Sequence, residues 1–473
     1  MSISRNRFTK NILQVMTSRG IMLISEILLG FVVPKILGIT GYGYLKTYSL
    51  YTAYSALLHL GFVDGVLLYF AGQDYESLDK KKVRGYSKFF ICMQCLVALA
   101  LLVLCGTFLS EQFRFIGVML AVNTFVINLT SYYQYVSQAT QRFTELSIRN
   151  ILIAISKILL VSGLVIVYHL SGNYVSYKIY IILLNVIEAC LLIWYVYTYK
   201  DITFGEHTPI ADCKKEIIGF FKNGFTLTIA YQVAHIVFIL DRQFVSILYS
   251  AEIFAVYSFA YSLVAVCTKI ISSLSTVLFP MLKQMKEKAA LQYFSAAISL
   301  MLIVSGAVLA GYFPIVWFVN WFLPAYVASL EFLRIILPAL LLSCCISVII
   351  FTFYKVIDKN IIYFRISCAA LGVSFLFNTI AHMAFHDPVA ISWVSVLSML
   401  IWYILAQQYF VQKYQIKWKR NLCYAVTIII VFYLITILKC PWWQGIFLYM
   451  VGYTVVTILF FRKTDIAAFR RSK

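Results

Sequence analysis

The sequence predicts an all-α, polytopic membrane protein of about fourteen transmembrane helices. Three observations predict it: an apolar excess, the spacing of long apolar runs, and a one-sided distribution of basic residues. The 473 residues are 62% hydrophobic and 12% charged, where a soluble domain has roughly 45–50% apolar and about 25% charged residues. No water-soluble core needs that excess. A spanning helix takes roughly 20 mainly apolar residues, and such runs fall at about 12–37, 43–72, 86–109, 113–137, 146–169, 174–199, 216–248, 252–282, 289–312, 328–354, 360–384, 388–412, 420–438 and 442–461.

The net charge of +20 sorts to one side. Placing the N-terminus in the cytoplasm puts about 29 Lys and Arg in or beside the cytoplasmic connections and about 6 on the other face, as the positive-inside rule requires. Both termini are therefore expected in the cytoplasm. The small basic clusters between apolar runs argue against a nucleic-acid surface. The first helix follows a basic start with no small-residue cleavage site after it, so an uncleaved anchor is expected.

The connections are short, the longest at about 200–215, which leaves no room for a soluble catalytic domain. No phosphate-binding loop and no H-E-x-x-H occurs, so neither a one-chain ATP-driven pump nor a zinc protease is indicated. The eleven cysteines lie almost wholly within predicted helices, where a thiol acts as a small hydrophobe; Cys92 and Cys95 form a C-x-x-C in an apolar run and are read the same way. No enzyme activity, metal or cofactor is expected. The 200–215 connection separates the first twelve helices into two sets of six, and a six-helix set returns the chain to its starting side. The two lobes, 1–205 and 206–412, are then parallel pseudo-repeats, with two extra helices and a basic tail over 413–473.

Ionisable groups near the middle of spanning helices cost about 2.5–3.5 kcal/mol each on insertion scales, so each is a functional candidate. Arg19, Lys157, Arg242 and Lys269 are candidate cations for an anionic substrate; Glu26, Asp64 and Asp241 are candidate carboxylates for a coupling ion. Glu188, in helix six, is open to a structural pairing with a neighbouring helix. Ser131, Gln134, Gln138 and Gln141 recur at helical spacing in helix four. Tyr44, Tyr48, Tyr51, Ser55 and His59 form a similar stripe in helix two, and Thr228, Gln232, His235 and Arg242 another in helix seven. Amides, hydroxyls and aromatic rings together suit a glycan, so Tyr48, Ser131, Gln134, Gln138, Gln232 and His235 are the candidate glycan-facing residues. Polar contacts between helices with no ligand are the alternative.

Two stretches carry a family resemblance. LGFVVPKILGITGYGYLKTYSLYTAYSALLHLGFVDG, from Leu29 to Gly65, has a late proline and an L-G…Y-G turn at Leu37, Gly38, Tyr42 and Gly43. The segment from Leu240 to Leu282 carries an Asp-Arg, a Tyr-Ser and a terminal Phe-Pro. Both resemble polysaccharide exporters of the multidrug/oligosaccharidyl-lipid/polysaccharide (MOP) superfamily. The resemblance implies a flippase for undecaprenyl-pyrophosphate-linked oligosaccharide, an O-antigen or capsule repeat unit, in the bacterial cytoplasmic membrane. It further implies alternating access between two lobes, cationic cavity residues meeting the pyrophosphate, and a glycan polymerase and chain-length machinery as partners. Helix one lacks the long arginine series of lipid II flippases, and drug exporters of the superfamily show less surplus of central Lys and Arg. A lipid II flippase and a cation-coupled multidrug antiporter are the alternatives, with a membrane glycan polymerase, which would need an external catalytic loop, as a third.

Overall fold

The computed structural model describes residues 5–272, 291–438 and 440–461, and every regular element among them is helical. The Phe-Pro at the end of helix eight, the lysines from 283 to 288 and the basic tail lie outside the described residues. Thirteen helical runs among the described residues are long and apolar enough to cross a membrane. The first of these, Met16–His59, has 44 residues, about 66 Å if it were one straight helix at 1.5 Å per residue, twice the hydrocarbon core. It is not one helix. Gly38 adopts φ 67° and ψ 176° within α1 (Arg5–Thr52), so the run makes two crossings and the count agrees with about fourteen.

Pro34 and Gly38 explain that break. Proline lacks an amide hydrogen, and Gly38 sits where a side chain would be strained. The freed carbonyl of Ile36 accepts from Val175 N–H at 2.9 Å, and the Tyr174 ring packs against the bare Gly38 Cα face.

Contacts divide the chain into two compact units, Met1–Gln232 and Val233–Lys473, with the boundary inside a helix, α8 (Lys214–Leu248). The first unit holds α1, α2 (Phe62–Phe70), α3 (Lys80–Phe108), α4 (Glu111–Ala139), α5 (Phe143–Ser171), α6 (Tyr177–Thr198), the short α7 (Lys200–Thr203) and the first part of α8. The expected second span, 43–72, is interrupted: the helix stops at Thr52, a 3₁₀ turn covers Ser55–His59, and α2 resumes at Phe62. This corrects the reading of one continuous helix. Tyr44 and Tyr48 precede the interruption, whereas Ser55 and His59 lie inside it, so the expected stripe is not one helical face.

A break at membrane depth exposes backbone carbonyls that lipid cannot satisfy. Amide side chains from three other helices take them. Asn128 Nδ2 donates to Ser55 O at 3.1 Å, Gln94 Nε2 to Leu58 O at 3.2 Å, and Gln232 Nε2 to Ala53 O at 3.2 Å. Asn128 also donates to Gln94 Oε1 at 2.9 Å, and Ser55 bonds Thr124 at 2.9 Å. Below the break, Gly61 and Gly65 let α2 lie directly on the backbone of α8 at Phe220 and Gly224. A Cβ on Gly65 would fall within the Phe220 carbonyl, and one on Gly224 within the Gly61 carbonyl. Phe62 then stacks on Phe90 at 4.8 Å and meets Phe220 edge-on at 5.4 Å, the centre of a buried aromatic core with Tyr86, Tyr132, Tyr133, Tyr195 and Tyr199.

One end of this unit is closed by charges. Lys80 Nζ meets Asp201 Oδ2 at 2.8 Å and lies 3.6 Å from the centre of the Tyr75 ring; the Tyr75 hydroxyl donates to Asp201 Oδ1 at 2.6 Å. Arg84 ties the Asp201 and Glu206 carbonyls, and Arg142 packs over both Tyr75 and Tyr199 while pairing with Glu145. Burial pushes the Asp201 carboxyl up, but the hydrogen bonds from Lys80 and Tyr75 outweigh it and hold the group below its ordinary value.

The second unit comprises the rest of α8, α9 (Ala251–Ser272), α10 (Phe294–Val308), α11 (Tyr312–Phe322), α12 (Ser329–Ile336), α13 (Ala339–Cys344), a π-helical turn Cys345–Ile350, α14 (Phe351–Val356), α15 (Asn360–Phe385), α16 (Pro388–Tyr414), α17 (Lys419–Ile437) and α18 (Trp442–Phe460). Pro338 separates α12 from α13, so the expected span 328–354 is segmented too. The expected span 289–312 extends as far as Phe322. The last two helices are bonded into this unit: Tyr449 and Tyr453 donate to Gly306 O and Ile303 O at 2.7 and 2.8 Å, and Ser299 to Asn421 at 2.9 Å.

Gly65→Ala is expected to destabilise the detergent-solubilised protein by about 3 kcal/mol through overpacking, read as a lowered unfolding temperature; Gly72→Ala, where a Cβ meets nothing but the backbone is strained, is expected to cost less. Because the Asp201 carboxyl is held low, its stabilisation is present above the unfolded carboxylate range and is lost as pH falls through its folded value. Asp201→Asn should therefore lower the unfolding temperature at neutral pH, and the gap to wild type should close on acidification below about pH 4.

Candidate functional site

The first unit contains a partly buried charged cluster built from three helices. Two turns apart along α5, Arg149 and Lys157 both reach Glu188 of α6: Arg149 Nη2 lies 3.3 Å from Oε2 and Lys157 Nζ 3.8 Å from Oε1. With its amide oxygen turned to the guanidinium, Gln134 of α4 accepts from Arg149 Nε and Nη1, each at 3.1 Å. One turn before Glu188, the Asn185 amide meets the Tyr48 hydroxyl at 3.0–3.2 Å. Two cations share one carboxylate, so a positive charge remains in a region largely shielded from water. Side-chain exposure is 14% for Arg149 and Glu188 and 32% for Lys157; the lysine is therefore the more accessible of the two cations.

The second unit has a buried carboxylate of its own. Asp241 on α8 is 4% exposed and accepts from its neighbour's amide, Arg242 N, at 2.7 Å, from the Tyr257 hydroxyl at 2.9 Å and from the Tyr261 hydroxyl. The Arg242 guanidinium lies 4.8 Å from the centre of the Tyr261 ring and donates to Phe238 O. Three hydrogen-bond donors, two of them tyrosine hydroxyls, therefore converge on one buried carboxylate.

The other expected residues are placed as follows. Of the cations, Arg19 and Lys157 belong to the first unit, and Arg242 and Lys269 to the second, where Lys269 is exposed. Arg19 is exposed beside Ser18, and Glu26 is half-buried beside Ser25; both serines face α5, Ser25 donating to Ala154 O at 3.3 Å. Asp64 is buried and accepts from Thr228 Oγ1, which joins α2 to α8. Gln232 caps the helix-two break, His235 is exposed in the second unit, Ser131 bonds Ile127 O in its own helix, and Gln138 is half-buried. Arg149, Asn185, Gln94 and Asn128 escaped the sequence reading. Arg149 reads there as a charge of a connection, though it lies nearly two turns inside α5.

A family model described as "Polysaccharide biosynthesis protein" matches residues 8–286, more than half of the chain. The protein belongs to that family. No curated protein sequence matches this member of it. Its fold is similar to that of "Lipid II flippase MurJ, inward closed conformation", with a TM-score of 0.69 at 13% identity over 96% of this chain and 99% of that one. It is also similar to a "multidrug resistance MATE family transporter of the MOP superfamily" in an inward-facing conformation, with a TM-score of 0.65 at 12% identity over 85% and 98% of the two chains. A MOP superfamily transporter from Pyrococcus furiosus, described by the reverse polarity of its binding pocket, gives a TM-score of 0.54 at 12% identity over 86% and 94%. This polysaccharide biosynthesis family member is thus a multi-pass membrane protein with the fold of MOP flippases and transporters.

Asp241→Leu is expected to leave the Tyr257 and Tyr261 hydroxyls without their acceptor and to destabilise the protein by about 3 kcal/mol, measured by thermal unfolding in detergent. Asp241→Asn, which keeps an acceptor oxygen, should retain at least half of that stability.

Proposed function

We propose that the protein is a flippase that carries undecaprenyl-pyrophosphate-linked oligosaccharide, an O-antigen or capsule repeat unit, across the bacterial cytoplasmic membrane, with both termini in the cytoplasm. The observation that carries this reading is the Arg149–Lys157–Glu188 cluster, an excess of positive charge on partly buried helix positions of a polysaccharide biosynthesis family member. A diphosphate offers several oxygens to a guanidinium and an ammonium, and neutralising it inside the protein lowers the cost of taking it out of water. Tyr48 and Asn185, one turn away, supply the hydroxyl and amide chemistry that sugars require. The lipid tail remains in the bilayer while the head group passes by alternating access. In the second unit, Lys269 and Arg242 are the further candidate cations and Asp241 the candidate coupling carboxylate.

The test is complementation of a bacterial strain that lacks its own glycan flippase. Lys157→Glu and Lys269→Glu, alone and together, are expected to reduce surface glycan at least tenfold at unchanged membrane abundance, with labelled lipid-linked intermediate accumulating inside. Wild-type surface glycan in the double variant would remove the diphosphate reading.

A further inference from the structure

Glu188 occupies the position that a substrate anion would need. Its two oxygens are divided between two cations, one each, as two oxygens of a phosphate would be. The cations are held unequally. Arg149 is fixed from two sides, by Glu188 and by two hydrogen bonds to Gln134, and is little exposed. Lys157 faces Glu188 at 3.8 Å, an ion pair beyond hydrogen-bonding distance, with a third of its side chain accessible. Glu188 itself belongs to the middle of an apolar helix, α6, whose exposed neighbours Val186 and Ile193 face outward.

We propose that Glu188 is a built-in competitor for the substrate anion: it offsets one of the two positive charges of Arg149 and Lys157 when the site is empty and is displaced from them by the incoming diphosphate. The inference rests on the reading that these cations meet a diphosphate. Arg149 stays in place as the anchor, held by Gln134, while Lys157 turns from Glu188 to the phosphate. The ligand class follows from the exchange. A monoanion replaces a carboxylate with no gain in charge, whereas a diphosphate brings additional negative charge and more acceptor oxygens to both cations at once. Two consequences follow for the cycle. The empty site keeps one excess positive charge rather than two in a partly shielded environment, and the returning carboxylate helps to expel the diphosphate at the far side.

The experiment measures inorganic pyrophosphate binding to the full-length protein in nanodiscs by calorimetry. Glu188→Gln is expected to bind about tenfold more tightly than wild type and to restore less surface glycan in complementation, because release slows. Glu188→Asp, which retains the charge but draws it back by one methylene, should tighten binding about threefold and covers the case in which Glu188→Gln fails to fold. Arg149→Gln and Lys157→Gln should each weaken binding at least tenfold. If both Glu188 variants bind as wild type or more weakly while the cation variants weaken, Glu188 only positions the cations and the inference is overturned, with the proposed function intact. If the cation variants bind like wild type, or no form binds pyrophosphate, the diphosphate reading falls and the inference with it.

Discussion

Backbone polar groups at membrane depth must find partners inside the protein, and the first unit is organised around that constraint. The chain breaks its second span between Thr52 and Phe62, which frees carbonyls where no water is at hand. Gln94, Asn128 and Gln232 converge on those carbonyls from α3, α4 and α8. Their need to reach one short segment fixes how these helices pack. The glycines at 61, 65 and 224 then set α2 against the α8 backbone, and the aromatic core around Phe62 forms on that contact.

The same principle separates polar groups that close a contact between elements from charges that are left over. Asp64, Gln232 and Ser55 look in sequence like the lining of a path, yet each closes a hydrogen bond between elements of the first unit. The Arg149–Lys157–Glu188 cluster differs because its charges do not cancel, and one of its cations is partly accessible. Asp241 differs in another way. Its donors come from α8 and α9, and they surround a single carboxylate rather than a backbone gap.

Long apolar runs made the helices legible, and Pro34 with Gly38 made the first turn legible, since both residues state a backbone requirement by themselves. The break at 53–61 was not legible. Apolar and aromatic residues continue through it, and what stabilises it lies in three other helices, far away in sequence. Lys157 could be singled out because its charge interrupts an apolar run. Arg149 could not, because it stands close to the charged start of its helix and only the packing of α5 on α6 reveals Glu188 opposite it. A chain read alone shows where a charge is unusual, whereas the partner that gives the charge its meaning belongs to the fold.

The contact of α2 with α8 has a mechanical corollary. Two backbones touching at Gly61, Gly65 and Gly224 cannot slide or separate without losing that close packing, so the start of α2 and residues 220–225 of α8 are expected to move together. Distances between probes on those two segments would stay constant while other parts of the transporter move. That joint is therefore a natural internal ruler against which any rearrangement during transport can be measured.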